Sequence, residues 1–289
     1  MPEPIKTALS MAAALLFLWS AVWCIRRVFS PEPAPHYTEP SSRSRCWAAI
    51  AGAAFILVLH LIFAVTAHIN YPEADFHQAI EWQFYGNTDS RHYLDLSIYG
   101  YGTQEAFPEQ YLQIVFFPLY PALLHILHFV TRIDAFWLGF AVQLPLFAAA
   151  TASFYTVIAR RWDEQTAALS LALLLASPAS VFFAVPMTES LFLLLTVRYV
   201  LTLEREQWWR CASLGVLAGL CRAPGGLLLG LTGLYLFMRW RRGTRPTIPS
   251  LLAMLSPAAG LGLYFLLNYL VYGRWNQYQI YQWDNWNQK

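Results

Sequence analysis

The sequence predicts an all-α, polytopic membrane protein, and three observations carry that expectation. Hydrophobic residues make up 57% of the chain and charged residues only 12%, against roughly 45–50% and about 25% in soluble domains. Several uncharged runs reach the ~20 residues that cross a bilayer as a helix. The cations gather in short clusters between those runs, so a net charge of +2 is no nucleic-acid footprint. Cys24, Cys46, Cys211 and Cys221 lie in or beside apolar segments without metal-ligand spacing and read as core residues.

Taken in order, residues 7–25 are apolar and precede Arg26-Arg27, without a small-residue cleavage site. They read as a retained anchor within an N-terminal unit, 1–30. Residues 31–45 form a linker carrying Pro31, Pro33, Pro35 and Pro40; with Arg26, Arg27, Arg43 and Arg45 it marks the cytoplasmic side. The catalytic domain is expected over 46–289. Its first span, residues 46–69, runs outward and places the polar stretch 70–113 on the external face.

Beyond that stretch, residues 114–130 read as a short span that Pro118 and Pro121 start irregularly. Residues 136–159 and 166–187 follow, the latter broken at Ser177-Pro178 and at Pro186. Another apolar run opens at Glu189 and ends in the cluster from Glu204 to Arg210. If that cluster and the one at Arg239, Arg241, Arg242 and Arg245 share the cytoplasmic side, residues 211–238 enter and return as two half-helices meeting at 222–226. Residues 250–272 form a clean outward span. The external tail stops on a half-finished amphipathic pattern, so further C-terminal spans are expected beyond it.

The stretch 70–113 is the one long polar segment. Its carboxylates (Glu73, Asp75, Glu81, Asp89, Asp95, Glu105, Glu109) face a single strong cation, Arg91. Long ordered loops are usually functional, and Asp89 is its candidate base. Asp89 and His92, three apart, share a helical face. The bland alternatives are an Asp89 that only caps the helix starting at Ser90, and His92 and Tyr93 as interface aromatics. Arg91 points elsewhere and reads as solvated or lipid-facing.

Arg222 sits between apolar residues, where a charge costs of order 2.5–3.5 kcal/mol on insertion scales and is functional by default. Its alternatives are a snorkelling arginine or a pair with Glu189, itself readable as a helix N-terminal carboxylate. On sequence alone, Arg222→Gln is expected to fold as well or better, since a buried charge is removed. His60, His125 and His128 read as core or interface residues; the last two lack a third metal ligand.

The segment from Asp89-Ser90-Arg91-His92-Tyr93-Leu94 to Gly100-Tyr101 resembles the W-D-x-x-H-Y-L motif of the PIG-V family. These are the second mannosyltransferases of glycosylphosphatidylinositol synthesis and their bacterial relatives. Phe116-Phe117-Pro118-Leu119-Tyr120-Pro121 is similar to the family's next block, and Ser177-Pro178-Ala179 with Thr188-Glu189-Ser190 to a third. Cys221-Arg222-Ala223-Pro224-Gly225 and Tyr281-Gln282-Trp283 with Trp286-Asn287-Gln288 match two more. Thr88 stands where the family usually carries Trp. Residues 1–45 lie outside the resemblance.

The resemblance implies a GT-C-type bundle of transmembrane helices whose long first external loop contains short helices and the catalytic site. It implies a multi-pass enzyme transferring a sugar, mannose for this family, from a polyprenyl-phosphate donor to a lipid- or glycan-linked acceptor hydroxyl, with inversion. The membrane is the plasma membrane in a bacterium or the endoplasmic reticulum in a eukaryote, the active site facing away from the cytoplasm. Asp89 is then the base. His92, Tyr93, Tyr120, Glu189, Arg222, Trp283, Trp286 and Gln288 contact donor or acceptor; the two tryptophans and Gln288 read equally as an interfacial belt. No cofactor and no nucleic-acid partner are expected, and metal assistance is left open. A transporter or flippase would also use broken helices and an intramembrane arginine, but predicts an internal repeat; no second Asp-x-x-His copy occurs. An inactive paralogue is the third reading.

Overall fold

The computed structural model describes residues 38–102 and 111–284, together with helical Met11, Leu15 and Trp19. The chain divides into two units, Met1–Tyr37 and Thr38–Lys289, and the second holds every helix from Ser42 onward. Among the described residues every regular element is helical. Glu105, Glu109, Trp286, Gln288 and most of the anchor run lie outside them.

Helix α1 (Ser42–Asn70) starts where Ser41 Oγ accepts from Ser44 N, at 2.9 Å, and Glu164 takes Ser41 N at 3.0 Å and Ser44 Oγ at 2.6 Å. It begins four residues earlier than the apolar run because these caps satisfy its first amides. Short helices α2 (Phe76–Tyr85) and α3 (Ser90–Tyr99) come next, then a 3-10 turn, Tyr111–Val115. Helix α4 (Leu119–Thr131) has 13 residues and lies beside α3, with Tyr93 edge-on to Tyr120 and His125 Nδ1 at 2.8 Å from Ser97 O.

The apolar stretch 114–130 is therefore no span of its own. Thirteen helical residues reach about 20 Å, short of the ~30 Å hydrocarbon core. The next candidate span is instead α5 (Ala135–Ala141) with α6 (Gln143–Arg161), 27 residues in all. It descends antiparallel to α1, pairing His60 with Phe140 and Thr151 Oγ1 with Ala48 O. Among the described residues three helices are long and apolar enough to cross a membrane, α1, the α5–α6 pair and α11 (Ile248–Tyr272), with Glu164–Ala176 and Pro178–Ala184 making a fourth if that bent pair is one span.

Helix α7 (Glu164–Ala176) bends by 83° into the turn Pro178–Ala184, at the predicted Ser177-Pro178 break. Helices α8 (Glu189–Glu204), α9 (Trp208–Cys221) and α10 (Leu227–Arg241) then run to and fro. The last two form the expected hairpin through the turn Ala223–Gly226. Its far ends meet where Arg239 pairs with Glu206, and α8 is tied to α10 by Tyr199 OH, 2.6 Å from Thr232 Oγ1. Where lipid replaces water, helices associate by close packing rather than by hydrophobic exclusion. Helices α9 and α11 follow that rule: a Cβ on Gly219 or Gly260 would strike the opposing backbone.

One end of this unit is basic. There Arg160 meets Glu39 and Glu204, Arg161 reaches Glu204 at 2.5 Å, and Arg205 pairs with Glu39 at 2.9 Å. The opposite end carries α2, α3, α4 and the terminal helix α12 (Gln277–Asp284). Gly273 caps α11 with φ +70, a conformation glycine takes without strain, and frees α12 to fold back. Asn268 Oδ1 receives Tyr278 N at 2.8 Å and holds it there.

Candidate functional site

Among the described residues four helices begin at an aspartate, and the sequence treats them alike. Asp75, Asp134 and Asp163 have extended backbones and accept from Gln78 N (2.9 Å), Phe136 N (2.7 Å) and Thr166 N (2.6 Å). Asp89 does not. Its ψ of 6 turns it out of the extended region a capping side chain needs, and its carboxylate makes no cap bond. Thr88 does that work instead, its Oγ1 accepting from Ser90 N at 3.3 Å and donating to Phe84 O at 3.0 Å.

The Asp89 carboxylate faces a cavity of about 270 Å³ shared with Tyr93, Phe116, Phe117, Cys221, Arg222, Tyr278 and Gln282. Its size is close to the lower end of small-ligand pockets, roughly 300–1,000 Å³. Distant parts of the chain thus meet: the N-terminal half of α3, the 3-10 turn, the tip of the α9–α10 hairpin and α12. The Phe116–Phe117 wall is fixed by Tyr101 OH donating to Phe116 O at 2.6 Å and Tyr264 OH donating to Ile114 O at 2.5 Å.

Arg222 has left helical geometry at φ −158, ψ 152, where α9 ends before Pro224. One guanidinium nitrogen, Nη1, is committed to Glu189 Oε1 and, at 3.2 Å, to Thr188 Oγ1. Among the described residues the remaining donors of the fork have no protein acceptor, and the head lines the cavity. Glu189 stands behind it at the first position of α8, and its Oε2 is buried with no hydrogen-bond partner among the described residues. The pair anticipated as the bland alternative exists, and it aims the arginine.

Tyr93 is buried, and burial holds its phenol well above the usual tyrosine range. His92 stacks on the cavity wall at Phe116, ring centroids 4.7 Å apart. Burial lowers its pKa, against the opposing pull of the Asp89 and Asp95 carboxylates.

Other expected contacts are not made. Tyr120 is fully buried, its OH donating to Gly139 O at 3.0 Å and accepting from Gln143 Nε2 at 2.8 Å. It holds α4 to α5 and α6 and cannot touch a ligand in this arrangement. Trp283 is exposed and lines no part of the cavity; on α12 that place falls to Tyr278 and Gln282. Tyr278 is pinned against Phe117 and Tyr264. Neither stands out in the sequence, although Gln282 sits inside the last family-like block. Of the expected core cysteines, Cys46 is exposed, while Cys211 and Cys221 are fully buried, Cys221 against the cavity. His60, His125 and His128 each meet a backbone carbonyl. Among the described residues no three metal-ligating side chains group together.

A carboxylate free of structural duty and a half-committed guanidinium on one small cavity can receive a proton and an anion side by side. Comparison of the chain with known protein families, with curated proteins and with solved structures finds no match.

Proposed function

We propose that this protein is a membrane glycosyltransferase that moves a sugar, mannose by resemblance to the PIG-V family, from a polyprenyl-phosphate donor to an acceptor hydroxyl with inversion. The observation that carries the reading is the uncapped Asp89 carboxylate and the Arg222 fork on the walls of one cavity. Asp89 takes the proton of the acceptor hydroxyl as its oxygen bonds to the anomeric carbon. The bond from that carbon to the phosphate oxygen breaks, and its electron pair leaves on the phosphate. The departing group gains a negative charge, which the free donors of Arg222 meet. Glu189 and Thr188 hold the guanidinium in place.

Exposed apolar side chains along α1 and α11, among them Leu57, Leu61, Val65, Leu255 and Leu270, suit lipid contact. The cations gathered at the opposite end from the cavity support an external site. Glu81→Cys in a Cys46→Ala background is expected to react with a membrane-impermeant maleimide in intact cells. Arg242→Cys is expected to react only after permeabilisation. Labelling in the opposite sense sinks the orientation. The activity itself is tested with purified protein in liposomes given polyprenyl-phosphate-mannose and a membrane lipid extract as acceptor source. Sugar transfer is expected; a folded, donor-binding protein that transfers nothing counts against the proposal.

A further inference from the structure

Helix α3 is a wall with two wet faces. Asp89 and Tyr93, one turn apart, look into the cavity already described. Arg91, Asp95 and Ile98, roughly 200° around the helix from Asp89 at 100° per residue, line a second cavity of about 410 Å³ against α2 and the start of α5. Nothing in the proposed transfer uses it.

Its chemistry is lopsided. Glu81, Asp95 and Asp134 contribute carboxylates against one guanidinium, Arg91. Arg91 Nε and Gln113 Nε2 both go to Asp95 Oδ2, at 3.5 and 3.2 Å. Asp95 Oδ1 has no protein partner among the described residues, and neither carboxylate oxygen of Glu81 has one. Asp134 spends one oxygen on capping α5. Burial first, and then the charges of Glu81, Asp95 and Asp134, push the Tyr85 phenol up to about 12. The floor is aromatic, with His77 stacked on Phe136 at 4.3 Å and Tyr85 at the side. Among the described residues no three metal-ligating side chains group together here. Rings and carboxylates together suit an organic ammonium, held by charge and by ring faces.

The mouth says where that ammonium comes from. Ile98 and Tyr99 line the cavity and are exposed, as are nearby Phe76 and Ile133; Phe76 stacks on Trp137 at 5.8 Å. Exposed aromatic and aliphatic side chains around a polar hollow are the signature of the headgroup level. We propose that this cavity binds the headgroup of a zwitterionic phospholipid, its ammonium among Glu81, Asp95, Asp134 and Tyr85, its phosphate at Arg91, its chains along Ile98 and Tyr99. The proposal rests on the membrane reading and is independent of sugar transfer.

The test is native mass spectrometry of the detergent-purified chain with equal phosphatidylethanolamine and phosphatidylglycerol, repeated with a Glu81→Gln/Asp134→Asn variant. Both substitutions keep size, and Asp134→Asn keeps a capping oxygen; unchanged thermal melting certifies the fold. Wild type is expected to retain phosphatidylethanolamine about tenfold over phosphatidylglycerol, and the variant to lose the preference to within about twofold. Equal retention by wild type, or an unchanged preference in the variant, overturns the proposal. Binding of free ethanolamine with no lipid preference would assign the ammonium to a soluble ligand and overturn the headgroup assignment.

Discussion

Asp89→Asn yields a protein that is expressed, melts normally and binds donor, yet transfers sugar roughly 10²–10⁴-fold more slowly, the usual worth of a general base. The change keeps the size of the side chain and removes only its capacity to take a proton. At most helix starts such a change would confound catalysis with capping. Here it does not, because the Asp89 carboxylate caps nothing and Thr88 already serves the Ser90 amide. Asp75→Asn, at a true cap, is the control for stability. Asp95→Asn is the control for a nearby carboxylate, since Asp95 faces the other side of α3. A rate for Asp89→Asn above about a tenth of wild type would return Asp89 to a structural role.

Arg222→Lys is the second large effect. A lysine keeps the charge and its pairing with Glu189 but loses the planar fork that sends one nitrogen to Glu189 and the others to the cavity. Transfer is expected to fall about 10²–10³-fold, as when one preorganised transition-state donor is lost, with the fold intact. Near-normal turnover at low donor concentration would make Arg222 a structural arginine. The structure also revises the sequence-based expectation that Arg222→Gln folds as well or better. Glu189 would be left with two poorly satisfied oxygens, Oε2 already lacking a partner, at a cost of order 1–3 kcal/mol. Adding Glu189→Gln is expected to restore most of that stability and none of the activity.

Charge and length made much of the fold legible in the sequence. The uncharged runs correspond to α1 and α11, and two charged clusters flanking residues 211–238 favoured a hairpin over a single span, as α9 and α10 form it. Proline placed the break between α7 and the turn after it. Helix α4 misleads because its apolar character mimics a crossing. Its 13 residues pack on α3 and return to the same end of the unit. Arg222 was legible because a charge is costly between apolar residues, and Asp89, Tyr93 and Glu189 through the family-like blocks in which they stand. Tyr278 and Gln282 were not, since their position depends on the fold-back at Gly273 and on the Asn268–Tyr278 bond ten residues apart. Nor could the sequence say that Asp89, alone among four aspartates at helix starts, leaves its carboxylate unspent; that is a matter of one backbone angle.

The most direct measurement is the configuration of the new glycosidic bond in the liposome transfer assay, read by NMR of the product from a donor of known anomer. Single displacement with Asp89 as base and the phosphate leaving toward Arg222 requires the opposite anomer in the product. A product that retains the donor's configuration, or a donor-binding protein that makes no product, would contradict the account.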